Sequence, residues 1–328
     1  MSPFEPEPSR APNAFADLRA FRIFQQVSDA KLAKLCLLAR DQIVEAGQII
    51  YDQGSTGDDF FVVLAGTVEG QRSTATGRQP ATRIRVGQIF GEVSFLDSNP
   101  RDTTTIAVVS AALLRFNGAA VRRVIASDHE LGASLMRTFW HSLAAKIRQA
   151  NLFLGELMSP SPGESEPSGP VDGRSVDMKP RAKLDLFAET GLSAAELRLV
   201  ATTLRARSFD AEETLFLEGA PGDCLYIVVE GSVRISRRVS GRGEGVLATL
   251  GRGEVFGEMA LVDDELRSAD AHAGPEGATV LALSRHDLDD VLQRPSEAAS
   301  QFLKFVCRVL AHRLREMINV LAAGNQRS

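Results

Sequence analysis

Cysteine is scarce in this chain: there are three in 328 residues, Cys36, Cys224 and Cys307. They are too few and too scattered for a disulfide framework or a cysteine-type zinc site, and each reads as a small buried apolar side chain. The histidines, His129, His141, His272, His286 and His312, show neither ligand spacing nor a His-Glu pair, so no metal is expected. No run of about 18 consecutive apolar residues exists, the length that marks a spanning helix, and the amino terminus has no charged-then-apolar signal pattern. The expectation is a cytoplasmic protein with no membrane partner. A basic excess is missing too, with 37 Lys and Arg against 42 Asp and Glu and a net charge of -5. That balance argues against a broad surface gripping nucleic acid. Without a P-loop, a nucleophile elbow or a metal constellation, the chain reads as a non-enzyme.

What is present is a repeat, in a chain too long for one ordinary core. The composition, 44% hydrophobic and 24% charged, is that of a globular protein. Gly54, Gly57, Asp58 and Phe61, followed by VVLAGTV, recur as Gly219, Gly222, Asp223 and Tyr226, followed by IVVEGSV, at an offset of about 165 residues. Phe90-Gly91-Glu92 recurs as Phe256-Gly257-Glu258, Arg101 as Arg267, and Leu143-Ala144 as Leu310-Ala311. Such slow drift means a duplicated domain with small loop changes.

Residues 1–14 are Pro-rich and polar and are expected to be disordered. The first repeat is assigned to 15–157. Its entry helices carry Leu18, Phe21, Phe24, Leu32 and Leu35 at helical spacing, with Ser28 as an amino cap. Short apolar or alternating runs cut by glycines follow to Phe116, the pattern of a rolled antiparallel sheet. Leu131, Leu135, Phe139, Leu143, Ile147, Ala150 and Leu154 then form a stripe along a long helix. That stripe packs on its own sheet or pairs with a second subunit. Residues 158–182, rich in Pro, Ser and Gly, read as a loose linker, which argues against tight coupling of the two halves. The second repeat is assigned to 183–323. Ser193 and Glu196 form its capping box, strands run from Arg207 to Leu283, and Phe302, Val306, Leu310, Leu314, Met317 and Leu321 line a final helix.

The most informative stretch is Phe256–Ala271, FGEMALVDDELRSADA. Gly257 lets backbone approach a ligand, and Met259, Ala260 and Leu261 suit a helical turn whose free amides favour an anion. Arg267 is a fork for two phosphate oxygens and Ser268 a hydroxyl donor. Ionised Glu258 can only accept, which suits sugar hydroxyls. These residues, with Ala269, resemble the phosphate-binding cassette of the cyclic nucleotide-binding domain, shared by the catabolite activator protein and the protein kinase A regulatory subunits. The resemblance implies an α+β fold of two tandem antiparallel β-rolls (jelly-roll-like), each flanked by helices. It implies a second-domain site of Phe256, Gly257, Glu258, Met259, Ala260, Arg267, Ser268 and Ala269, with Glu258 on the ribose 2′-hydroxyl and Arg267, Ser268 and the Gly257 region on the cyclic phosphate. Leu266 departs from the pattern, because many members have Pro there.

The first-domain site would be Phe90, Gly91, Glu92, Val93, Arg101, Asp102 and Thr103. Asp102 stands where the family has Ala, Ser or Thr, and a carboxylate ~4 Å from a phosphate costs about 4 kcal/mol at an effective dielectric near 20, a several-hundredfold loss of affinity. Asp102 points outward, or Thr103 takes the hydroxyl role, or Asp102 pairs with Arg101 in a vestigial site. The bland alternative for Arg101 and Arg267 is an ion pair with a nearby surface acid. Ser268 resembles the cyclic AMP receptors, with cyclic GMP as the alternative ligand; Asn151 and Asn319 lie at depths where the last helix caps the base, and equally fit an exposed polar face.

The leading reading is a tandem-domain cyclic nucleotide receptor, resembling a kinase A regulatory subunit, that switches conformation and regulates a separate effector protein. Against a literal kinase subunit, the amino-terminal residues show neither a docking helix nor an inhibitor segment. One alternative is a transcription regulator of the catabolite activator type lacking its own helix-turn-helix. Another is a structural oligomer with relic sites, for instance a homodimer through the long carboxy-terminal helix of each domain.

Overall fold

Each repeat forms an antiparallel sheet flanked by helices, an α+β arrangement, in the computed structural model. It describes residues 13–74, 77–157, 171–179, 181–183, 185, 198–239, 243–263, 265–293 and 296–324. The chain divides into two units, one of residues 1–142 with 311–328 and the other of 143–310.

In the first unit, helices α1 (Ala14–Ala20) and α2 (Asp29–Cys36) lead into β1 (Ala39–Val44), β2 (Ile49–Tyr51), β3 (Phe60–Thr74), β4 (Gly77–Ile84), β5 (Ile89–Phe90) and β6 (Thr104–Phe116). Helix α3 (Glu92–Asp97) sits between β5 and β6, and α4 (Gly118–Ser127) and α5 (His129–Leu157) follow, α5 passing from the first unit to the second after Ser142. The sheet order is β1-β6-β3-β4, with β2 on β6 and β5 on β3, all antiparallel. The long strands β3 and β6 lose register around Val63–Thr67, and such bulges bend a sheet. Gly66, at φ 83°, marks the bend, where any Cβ would strike the carbonyl of Ser110. The rolled sheet closes on Val63, Val68, Ile84, Phe90, Ala107 and Leu113. Phe139 of α5 meets Phe60 edge-on at 5.0 Å and Phe95 of α3 at 5.5 Å, while Phe60 stacks on Phe116 at 4.8 Å. These rings lock the near half of the long helix to the roll.

The second unit repeats the plan with β7 (Arg174–Val176), α6 (Arg198–Thr203), β8 (Arg205–Phe209), β9 (Thr214–Phe216), β10 (Cys224–Val239), β11 (Gly243–Leu250), β12 (Val255–Phe256), α7 (Met259–Asp263) and β13 (Asp270–Ser284). Helices α8 (Arg285–Gln293) and α9 (Glu297–Gly324) close it, α9 continuing past Leu310 into the first unit. The sheet order is β11-β10-β13-β8-β7, with β12 on β10 and β9 on β13. The core is Phe209, Val228, Val233, Leu250, Phe256 and Val280.

Several expectations change. Within the stretch read as linker, Arg174–Val176 is a strand paired with β8, and the amide of Val171 donates to the Thr214 carbonyl at 2.9 Å. Its side chains are exposed, so the pairing is a backbone event that composition does not report. Ala14, placed in the disordered segment, is buried at the start of α1. Ser28 holds the amino-cap position of α2 but makes no capping bond through its side chain. All seven residues of the first helical stripe and all six of the second are buried within the single chain. Those stripe residues are therefore covered within one chain. Residues 1–12, most of the linker (158–170) and the Ser193–Glu196 capping box lie outside the described residues.

Candidate functional site

The two arginines singled out in the sequence occupy one backbone frame, built twice. Gly91 and Gly257 open the segment at φ 81° and 72°, and a Cβ would stand 3.0 Å from Nη1 of Arg101 or 2.7 Å from Nη1 of Arg267. Only glycine admits a guanidinium this close in that conformation. Arg267 donates from Nη1 to the Gly257 carbonyl at 2.5 Å and from Nη2 to the Cys224 carbonyl at 2.9 Å. Arg101 does the same to Gly91 at 2.9 Å and Asp59 at 2.6 Å. The backbone beside each arginine is pinned to the glycine loop of its roll. Arg267 pairs with Gly219 and Ala220, and Arg101 with Gly54 and Ser55, at 2.8–3.0 Å.

An aromatic ring lies under each guanidinium: Tyr51 under Arg101, 4.3 Å to the centroid, and Phe216 under Arg267 at 4.2 Å, with Tyr226 at 5.9 Å. The ring face offers the cation its negative quadrupole. Both arginines are 5% exposed. Every hydrogen bond described for either goes to a neutral carbonyl, so the expected alternative, a surface ion pair, is not what forms. Burial presses the pKa of Arg267 downward, and its Nε is shielded without a hydrogen-bond partner. A buried cation so placed favours an anion.

The matching carboxylates, Glu92 and Glu258, are fully buried at 0% and 1% exposure. The Ser142 hydroxyl of α5 donates to Glu92 Oε1 at 3.0 Å; Val309 holds the equivalent place on α9. Met259, Ala260 and Val93 lie buried in the short helices α7 and α3, and Ala269 is buried beyond the arginine. Ser268 Oγ reaches Met259 Sδ at 3.7 Å. Phe90 and Phe256 belong to the roll cores, where they stack on Phe61 at 4.9 Å and Tyr226 at 5.1 Å. These two phenylalanines are scaffold beneath the site and not part of its donor set. Thr103 is buried, while the carbonyl of half-buried Asp102 accepts from Arg72 Nη1 at 3.0 Å. No hydrogen bond described for Arg101 reaches Asp102. Asn151 is buried and the Asn319 Oδ1 is shielded without a partner, so neither amide sits on an exposed polar face. Among the described residues no cluster of His, Cys, Asp or Glu is placed to hold a metal, and no helix is long and apolar enough to cross a membrane.

A family model described as the cyclic nucleotide-binding domain matches residues 42–128 and again 206–295. The chain belongs to this family. The matches begin within β1 and β8, and each includes the whole glycine-to-arginine segment. The cyclic AMP receptor protein of Thermus thermophilus is 38% identical over 126 residues, covering 38% of this chain and 56% of that protein. The cAMP-dependent protein kinase regulatory subunits of Mycosarcoma maydis and Dictyostelium discoideum are each 24% identical, covering 78% and 86% of this chain and 42% and 76% of theirs. The chain thus spans about half the length of the first two of these relatives. A solved structure of the regulatory domain of Toxoplasma gondii PKA with cAMP aligns with a TM-score of 0.33 and 19% identity, over 89% of this chain and 94% of that one. This tandem cyclic nucleotide-binding-domain protein has regulatory subunits among the relatives that align along most of its length.

The aromatic platform escaped sequence reasoning, although Tyr51 and Phe216 share the repeat offset of the glycine loops. Ser142 was hidden because its helix position reads only as a gap in the apolar stripe.

Proposed function

We propose that this chain is a cytoplasmic, non-enzymatic receptor for a cyclic nucleotide, cyclic AMP first, that binds or releases a separate effector protein according to occupancy. The cyclic phosphate lies against Arg267 and Ser268, and the ribose 2′-hydroxyl donates to Glu258; Arg101 and Glu92 offer the same pair in the first domain. The observation that carries the reading is the buried Arg267 guanidinium, placed over Phe216, turned only to neutral carbonyls and in the field of the buried Glu258 carboxylate. Such a cation gains most from a bound diester anion, and the carboxylate gains a donor from a sugar. Family membership and the regulatory-subunit relatives support the same class. Regulation of an effector requires that the ligand discriminate between two states, with about 5.5 kcal/mol needed to move a population from 1:99 to 99:1.

Calorimetric titration of the full chain with cyclic AMP and cyclic GMP tests this. Arg267→Glu is expected to remove one binding event, and Glu258→Ala to weaken the same event. An Arg267→Glu protein that binds as many cyclic AMP molecules per chain, equally tightly, would overturn the assignment.

A further inference from the structure

Arg148 and Arg315 hold equivalent places on the two long helices, each five residues beyond the matched Leu-Ala landmark. In the second unit, Arg148 of α5 donates from Nε and Nη2 to Asp263 Oδ2 at 3.1 and 2.7 Å, and from Nη1 to the Leu266 carbonyl at 3.0 Å. In the first unit, Arg315 of α9 donates from Nε and Nη2 to Asp97 Oδ2 at 3.2 and 2.9 Å, and from Nη1 to the Pro100 carbonyl at 3.0 Å. The two geometries agree bond for bond. Asp97 and Asp263 are the last residues of α3 and α7, and Pro100 and Leu266 immediately precede Arg101 and Arg267. Each fork therefore grips both ends of the short segment that delivers the phosphate arginine, whose own backbone is pinned by the glycine loop. The pairs are largely shielded, Arg315 and Asp97 at 15% and 11% side-chain exposure and Arg148 and Asp263 at 24% and 17%. Charge-assisted bonds from a planar guanidinium are strong and directional in such a setting.

We propose that Arg148 and Arg315 are positioning residues for the phosphate sites, each serving the repeat to which it does not belong in sequence. Arg148, from the helix of the first repeat, sets the segment that carries Arg267. Arg315, from the helix of the second, sets the segment that carries Arg101. The inference rests on reading Arg101 and Arg267 as phosphate ligands.

The test is a cyclic AMP titration of the full-length chain in two backgrounds, Arg101→Glu and Arg267→Glu, that each retain one site. With only the second site left, Arg148→Ala is expected to weaken binding about tenfold and Arg315→Ala to leave it unchanged. With only the first site left, the roles reverse. Arg148→Lys and Arg315→Lys, which keep the charge but lose the fork, are expected to restore part of the loss. A purely structural role would weaken both sites alike, and that result, or a loss confined to the arginine's own repeat, overturns the proposal. If the first site binds nothing, the contrast between the two variants at the second site decides alone. If Arg148→Ala does not fold, Arg148→Lys decides: loss at the second site only supports the proposal, and equal loss at both overturns it. Failure of the functional reading looks different, because then the chain without any substitution at Arg148 or Arg315 binds no cyclic nucleotide.

Discussion

The first site and the second share a backbone and differ in what surrounds it. Both have the left-handed glycine, the arginine on two carbonyls and an aromatic ring, and the pinned glycine loop. Around that frame, the first site sets Ser142 against Glu92, Tyr51 under the arginine and Asp102 after it; the second has Val309, Phe216 and Ser268 in those places. The roll-to-helix junction differs in the same way. Phe60, Phe95, Phe116 and Phe139 in the first unit correspond to Leu225, Leu261, Leu283 and Val306 in the second, all buried. The duplicated feature is the hydrogen-bonded frame that presents a cation. The side chains around it set how firmly each copy is built and how well it accepts phosphate.

The comparison breaks first at the junction. Phe139→Ala is expected to cost about 3–5 kcal/mol of stability and Val306→Ala roughly half of that, because edge-to-face rings add to simple burial. Urea unfolding of the two variants checks it; equal losses would mean the aromatic cluster does not distinguish the units. Asp102→Ser sharpens the chemical difference. Removing a carboxylate worth up to about 4 kcal/mol against a phosphate is expected to raise first-site affinity between about tenfold and several-hundredfold in calorimetry. Unchanged affinity would show that Asp102 faces away.

The smallest effect is alkaline. Burial raises the Tyr226 phenol to about 12 and the Cys224 thiol to about 11, above the values near 10 and 8.5 that the unfolded chain would show. Both are protonated in the fold and lose protons more readily when unfolded, so their contribution is complete below about pH 8.5 and is lost as pH rises toward about 12. Their counterparts in the first unit are Phe61 and Asp59, although Tyr51 and Cys36 are raised there by burial as well. Tyr226→Phe should flatten the upper part of the pH dependence of the second unit and leave the first unit's unchanged, as read by thermal melts across that range.

Much of this was legible from residue order. Glycines in register with Phe-Gly-Glu and a later arginine announce two rolled sheets and the cation-carboxylate pair, because the close approach of Arg267 tolerates no Cβ at Gly257. The stripes on α5 and α9 announce long helices, but periodicity does not say what covers them. Strand β7 stayed hidden inside a Pro/Ser/Gly-rich stretch because its partner, β8, lies about 30 residues further along the chain. Arg148 and Arg315 carry no signal in the sequence, because an arginine between the apolar positions of a helical stripe is ordinary. Their partners are aspartates that the local pattern marks only as the end of a short helix.

The first unit has a further consequence for how the chain is made. Its residues break off at Ser142 and resume at Ala311, so a ribosome must make residues 143–310 before supplying the piece that brings Arg315 to Asp97. At about 5–20 residues per second, that wait is roughly ten to thirty seconds. The first roll to emerge is thus completed only after the second has been made, and a stop in the final helix beyond Leu310 would remove the first unit's share of that helix while leaving the second unit's.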